Sequence, residues 1–316
     1  MAGHPFIPLG LAGWRGRVDR CIMRPSTERG CGTLADETQV QGVEGACLPL
    51  TGMPDNVLRR RLLLLAVVVA VSVAVAAKMP DPLRELVDGV GLAVCHRWPA
   101  HSFFLGGKQL PVCARCTGTF LGAALSLMFL VWRGRTRAGN LPPTPVLMAL
   151  ILFMAAWATD GLNSYLSIFP GLPHLYKPHN LLRLATGFLA GIALTNLALP
   201  VVHLTLWQEP TRERSLENWR ELGVLVGVAF LIGALIAWGP APLFGPVALW
   251  SAGGVVALLT LANAVIVAVV LGRGGHARSL WGLAAPLLAG FLLTAAEIAA
   301  IVCLRTWLEA RFGLPL

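Results

Sequence analysis

Seven apolar runs long enough to cross a bilayer constrain this chain more than any other feature. They lie at about 61–77, 117–132, 145–166, 181–206, 222–239, 247–271 and 281–304. A helix rises 1.5 Å per residue, so about 20 apolar residues cross a hydrocarbon core of about 30 Å. Inside that core every backbone N–H and C=O must be satisfied within the chain, which leaves only helices or a closed barrel. Barrel strands alternate apolar and polar residues, whereas these runs are unbroken. The sequence therefore predicts an all-α, polytopic transmembrane helix bundle of about seven spans. Composition agrees, with 56% hydrophobic and 13% charged residues, against about 25% charged in soluble domains. An ordinary soluble enzyme is excluded.

A net charge of +9 is in the range of nucleic-acid-binding proteins, but the placement of the charges points elsewhere. Arg15, Arg17, Arg20, Arg24, Arg29 and Arg59–Arg61 precede the first run, and most other arginines fall in short connections between runs. That is a topology signal. With the N-terminus cytoplasmic, Arg133/Arg135/Arg137, Arg212/Arg214/Arg220 and Arg273/Arg278 all lie inside, and residues 78–116 and 170–180 lie outside. The expected setting is a multi-pass protein of a bacterial plasma membrane. Its partner is the lipid bilayer and no nucleic acid is expected; protein partners are not legible. The first run, with Arg59–Arg61 before it and Ala74-Val75-Ala76 at its end, also fits a cleaved signal peptide. Either way the chain after residue 78 emerges on the outer side.

Three regions are expected. Residues 1–58 are rich in Gly, Pro, Thr and charge, contain Cys21, Cys31 and Cys47, and read as a disordered cytoplasmic tail, with Met53 an alternative start. Residues 59–206 form a four-span core carrying the external segment, and residues 207–316 a three-span extension. The G-x-x-x-G pairs Gly118/Gly122, Gly187/Gly191 and Gly223/Gly227 read as helix-packing positions.

The chemistry concentrates between Val94 and Gly118. Cys95, His96, His101, Cys113 and Cys116 place soft donors within 22 residues of a chain otherwise poor in them. Thiolate and imidazole suit zinc or another transition metal, and Cys113-x-x-Cys116 is the spacing at which one turn of backbone offers two sulfurs to one ion. Thr117 stands where a c-type haem motif needs histidine. Cys95, Cys113 and Cys116 are expected to act together, with His96 the fourth donor, because Gly106-Gly107 and Pro111 suit a chain that doubles back. A helix N-terminus and Arg115 beside Cys116 also favour a reactive thiol, so a dithiol redox pair or a plain disulfide stands as the alternative. His101 reads as a surface histidine.

Charges inside spans are costly and need partners. Asp160, Arg183 and Glu297 share an estimated depth in the outer half, below the Cys/His segment. With Asn180 at the head of the fourth span, they read as a polar pocket in which Asp160 and Arg183 pair. Asn196 and Asn263 read as interhelical hydrogen-bonding amides.

The pattern C-H-R-x-P-x-H-S-F at 95–103, G-x-Q-x-P-V-C-A-R-C-T-G at 107–118, Asp160-Gly161, and Asn180-x-x-Arg183-x-x-x-Gly187 resembles domain of unknown function 2085, a family of small prokaryotic membrane proteins. The resemblance covers about residues 85–200. It implies a few-helix membrane domain with Cys95, His96, Cys113, Cys116, Asp160, Asn180 and Arg183 as signature positions, and it brings no activity. The residues thus support an outward-facing Cys/His site that binds metal or performs thiol redox chemistry. The alternative is a small-solute carrier using the pocket at Asp160, Arg183 and Glu297. No nucleophile–base pair or close catalytic carboxylates argue for an enzyme.

Overall fold

The computed structural model describes residues 79–169, 171, 173–279 and 281–313, together with residues 63, 67, 70–72 and 74, which are helical. The chain divides into two units, Met1–Gly52 and Met53–Leu316. The first unit, with its three cysteines, lies outside the described residues, as does most of the first apolar run. All that follows concerns the second.

Among the described residues from Met79 onward, seven α-helices succeed one another: α1 Asp81–Val94, α2 Ala114–Arg133, α3 Thr144–Leu166, α4 Asn180–Leu206, α5 Trp219–Trp238, α6 Phe244–Val270 and α7 Ala284–Phe312. Helices α2 to α7 are each long and apolar enough to cross a membrane, and each coincides with an expected run to within a few residues at its start. The shorter α1 was not anticipated. Pro82 in its first turn presets a helical backbone, and only Val87, Val90 and Gly91 are buried, so it is an amphipathic helix resting on the bundle. Local signals end the spans as physics requires: Gly134 and Gly239 close α2 and α5 in the left-handed conformation, at φ 76° and 77°. Asn218 caps α5 by accepting the Glu221 N–H at 3.0 Å.

α2 and α4 form the central pair. A Cβ at Gly118 would lie 2.2 Å from the Leu184 carbonyl oxygen, and one at Gly191 would lie 2.0 Å from that of Thr119. Only glycine permits backbones this close, and the pairs Gly118/Gly122 and Gly187/Gly191 supply it from both sides. Gly223/Gly227 differs from expectation, since nothing lies within 4 Å of a Cβ at either position. Around the central pair, α3 and α5 pack on α4 and α6 packs on both, while α7 and α1 lean on α6 and on each other. Leu150, Ile192, Leu225 and Val255 fill the interior. Leu152, Leu231 and Val270 face outward, and Trp238 and Trp281 stand exposed at helix ends, where interfacial aromatics anchor a bundle in lipid.

The two ends of the bundle differ. At the C-terminal end of α2, Arg135 is buried and doubly bonded to Glu221 at 2.7 and 2.9 Å, with Arg133 on the same carboxylate at 3.0 Å. The opposite end joins the head of α2, the tail of α3 and the head of α4, and gathers the residues singled out by the sequence.

Candidate metal centre

The segment from Cys95 to Cys113 folds back on itself through a hairpin, β1 Phe104–Leu105 paired antiparallel with β2 Lys108–Gln109. Its two turn residues, Gly106 and Gly107, have φ 56° and 77°, the left-handed pair that a two-residue hairpin turn demands and glycine supplies without strain. Leu105, Leu110 and Val112 are fully buried beneath it. Gln109 staples the loop by donating from Nε2 to the Arg97 carbonyl at 2.7 Å and to Ser102 Oγ at 3.1 Å. Arg97, held at φ 49°, is fixed by its ion pair with Asp88 of α1 at 2.7 Å. From the far side Arg305 of α7 donates to the Cys95 carbonyl at 2.9 Å.

This return carries Cys95 to the mouth of α2. The sulfurs of Cys95, Cys113 and Cys116 lie within 4.8 Å of one another, and the first two residues are buried. All three thiols are free, as is Cys303, which lies exposed on α7. Cys95 Sγ accepts the Cys113 N–H at 3.1 Å. Hydrogen bonds from the Cys113 and Cys116 thiols, together with the Arg97 and Cys113 amides, hold the Cys95 thiol far below the ordinary thiol range against the opposing effect of burial. Cys113 is driven upward: its bond with Cys116 favours ionisation, but the bond to Cys95, burial and the Cys95 charge together outweigh it. A cation placed among the three sulfurs would favour the thiolate form of each.

The structure does not bring His96 into this triad. Its Nδ1 accepts the Trp98 N–H at 3.0 Å, and its ring packs edge-on against His101, centroids 5.5 Å apart. A sequence neighbour of Cys95 in an extended backbone points away from it, and the hairpin cannot turn both residues inward. His101, expected at the surface, is half-buried. Burial first, then Arg183, hold its imidazole down to about 4.

Below the thiols the expected charge pairing is replaced by another. Asp160, almost completely buried, is bonded by Arg115, whose Nε lies 3.1 Å from Oδ2 and whose Nη2 reaches the Asp160 carbonyl at 3.0 Å and Ser164 Oγ at 2.9 Å. The Tyr176 hydroxyl donates to Asp160 Oδ1 at 2.8 Å; burial and then this bond push the phenol up to about 12. Arg183 makes no ion pair among the described residues: its Nη1 meets Asn180 Oδ1 at 2.8 Å and its Nε meets Ser164 Oγ at 3.4 Å. Equal depth in the membrane does not fix which face of a helix a side chain occupies. Arg115, at the head of α2, is the cation that faces Asp160 of α3. Asn180 is the first residue of α4, not its cap; His179 caps by accepting the Leu181 N–H at 3.2 Å, while Asn180 ties the helix to the Ala100 carbonyl at 3.1 Å. The structure does not bring Glu297 to this group. It accepts from Asn263 Nδ2 at 2.7 Å, between α6 and α7.

A cavity of about 210 Å³ opens between these layers, lined by His96, His101, Cys113, Arg115, Ser164 and Arg183 among others. Arg115 and Ser164 were not singled out as members of the polar cluster. Ser164 follows Asp160 by one helical turn, and that spacing was the available signal.

Fold and site together define a multi-pass helical membrane protein with a three-thiol cluster, two of its cysteines buried, at one end of its bundle. A family model described as "Predicted membrane protein (DUF2085)" matches residues 95–197. An uncharacterized protein of Methanothermobacter thermautotrophicus is 36% identical over 115 residues, which are 36% of this chain and 91% of that protein. A second, from Methanocaldococcus jannaschii, is 29% identical over 108 residues, covering 34% of this chain and 63% of its own length. The chain belongs to this family of predicted membrane proteins, domain of unknown function 2085. No solved structure matches.

Proposed function

We propose that the protein is a membrane metal-binding protein that holds zinc or another transition metal through Cys95, Cys113 and Cys116, on the side of the membrane opposite its basic loops. The observation that carries this reading is the convergence of three sulfurs within 4.8 Å. A tetrahedral zinc with Zn–S bonds of about 2.3 Å sets its sulfurs about 3.8 Å apart, so a small contraction suffices. Three thiols also exceed what one disulfide uses. Binding would release the Cys113 and Cys116 protons and leave a fourth position for an added ligand.

The competing redox reading rests on the depressed Cys95 thiol beside a C-x-x-C pair. A carrier reading needs Glu297 on one path with Asp160 and Arg183, and the Glu297–Asn263 bond on another helix pair removes that residue from it. Elemental analysis of the purified full-length protein, paired with a free-thiol count, tests the proposal. About one metal ion per chain is expected, with Cys95→Ser, Cys113→Ser and Cys116→Ser each losing it to a similar extent. A cross-link between any two of these cysteines, in protein purified without chelator and lacking metal, would overturn it in favour of the redox reading.

A further inference from the structure

The buried cation of this end of the bundle has no carboxylate in direct contact among the described residues. Arg183 is only 5% exposed; Asp160 acts on it through space but spends its hydrogen bonds on Arg115, on the Tyr176 hydroxyl and, at 3.5 Å, on Thr186 Oγ1. Its own bonds go to two neutral oxygens, those of Asn180 and Ser164, and its Nη2 bonds to nothing among the described residues. A guanidinium does not give up its proton in proteins, and an unpaired charge at this depth is costly. The side chain nevertheless borders an open space, the cavity of about 210 Å³. That cavity is lined as well by Arg115, His96, His101, Tyr165 and Ile168, with no carboxylate among its described lining residues.

We propose that this cavity is a binding site for a small oxyanion, a phosphate or carboxylate group, with Arg183 as its charge partner. The chemistry fits, because guanidinium recognises such groups through paired N–H donors, and the unused Nη2 offers them. The size fits as well. At about 30 Å³ per water the space holds about seven waters, enough for one oxyanion group and not for an extended chain. The group can belong to a free anion or to a lipid headgroup. The proposal stands on Arg183 and the cavity, and it does not require metal at the thiols.

The test is thermal unfolding of the full-length protein in non-ionic detergent at constant ionic strength, with sodium chloride as the baseline salt. Inorganic phosphate and acetate are titrated separately, and phosphatidic acid in a third arm. A melting temperature that rises with the logarithm of oxyanion concentration is expected. A response to phosphate or acetate assigns a free anion, and a response to phosphatidic acid alone assigns a headgroup; either supports the site. Arg183→Gln should weaken the apparent Kd by about tenfold or more, the response of each variant being read from its own melting temperature in chloride. Gly161→Leu fills the space beside the Arg115 guanidinium, whose Nη1 lies 3.8 Å from a Cβ there, and it should weaken the response similarly. Cys95→Ser should leave it intact even where metal is lost. Absence of any oxyanion response in the parent protein, or an equal response in Arg183→Gln and Gly161→Leu, would overturn the proposal.

Discussion

Asp160 shows what one side chain at this end must do. It accepts from Arg115, Tyr176 and Thr186 while almost wholly excluded from solvent, so its charge is compensated by a neighbour and by hydroxyls. Asp160→Asn leaves Arg115 facing a neutral amide and is expected to cost about 3–5 kcal/mol, the range for breaking a buried pair. Arg115→Gln should cost a comparable amount, and the double variant should recover about 1–3 kcal/mol of the summed loss. Asp160→Asn combined with Arg183→Gln should show a smaller coupling, since those two do not touch. Thermal melts of the parent, the three single and the two double variants decide, and additive losses for Asp160 with Arg115 would refute the pairing. His101 offers a test in pH. Its imidazole sits at about 4 in the fold against 6.5 ordinarily, so the unfolded chain binds the proton first. Stability should therefore fall as pH drops from about 6.5 toward 4, and His101→Gln should flatten that part of the profile.

Among the elements, α2 and α4 are defined by what they lack. Glycines on both faces replace side chains with backbone contact, and in lipid such van der Waals packing substitutes for an absent hydrophobic drive between helices. Gly118→Ala forces its new carbon against the Leu184 carbonyl and should destabilise by about 1–3 kcal/mol. Gly223→Ala meets open space and gains helix propensity, so it should be neutral or stabilise by up to about 1 kcal/mol. Equal effects in melting experiments would contradict this division. The spans were legible in the sequence because each apolar run exceeds the length any soluble helix needs. α1 was not, because its burial of three residues along one face leaves a pattern too short to stand out between Pro80 and Pro99. The G-x-x-x-G spacing did not separate the pairs that pack from the one that does not, since spacing says nothing about which face meets a neighbour.

For the whole molecule, the basic end and the thiol end of the bundle are opposite. Arg135, read from sequence as part of a topology signal, is a buried partner of Glu221. By the positive-inside rule the thiol end is expected outside. Introducing single cysteines at Lys108 and His174, both exposed, into a cysteine-free background should give labelling by an impermeant maleimide in intact cells. Arg212→Cys, exposed at the other end, should label only after lysis. The reverse pattern would invert the topology and bring the metal proposal to the cytoplasmic side.

What the sequence determined by itself is whatever depends on distance along the chain. Run length gave the spans, the Gly106-Gly107 pair gave the return of the chain, and donor chemistry singled out Cys95, Cys113 and Cys116. What only the tertiary structure decided is whatever depends on direction around a helix or a loop. His96 follows Cys95 yet points to Trp98 and His101; Asp160 takes Arg115 in place of Arg183; Glu297, at similar depth, turns to Asn263 on α6. Each side chain's azimuth is set by which helices touch, and that is fixed where glycine lets two backbones meet.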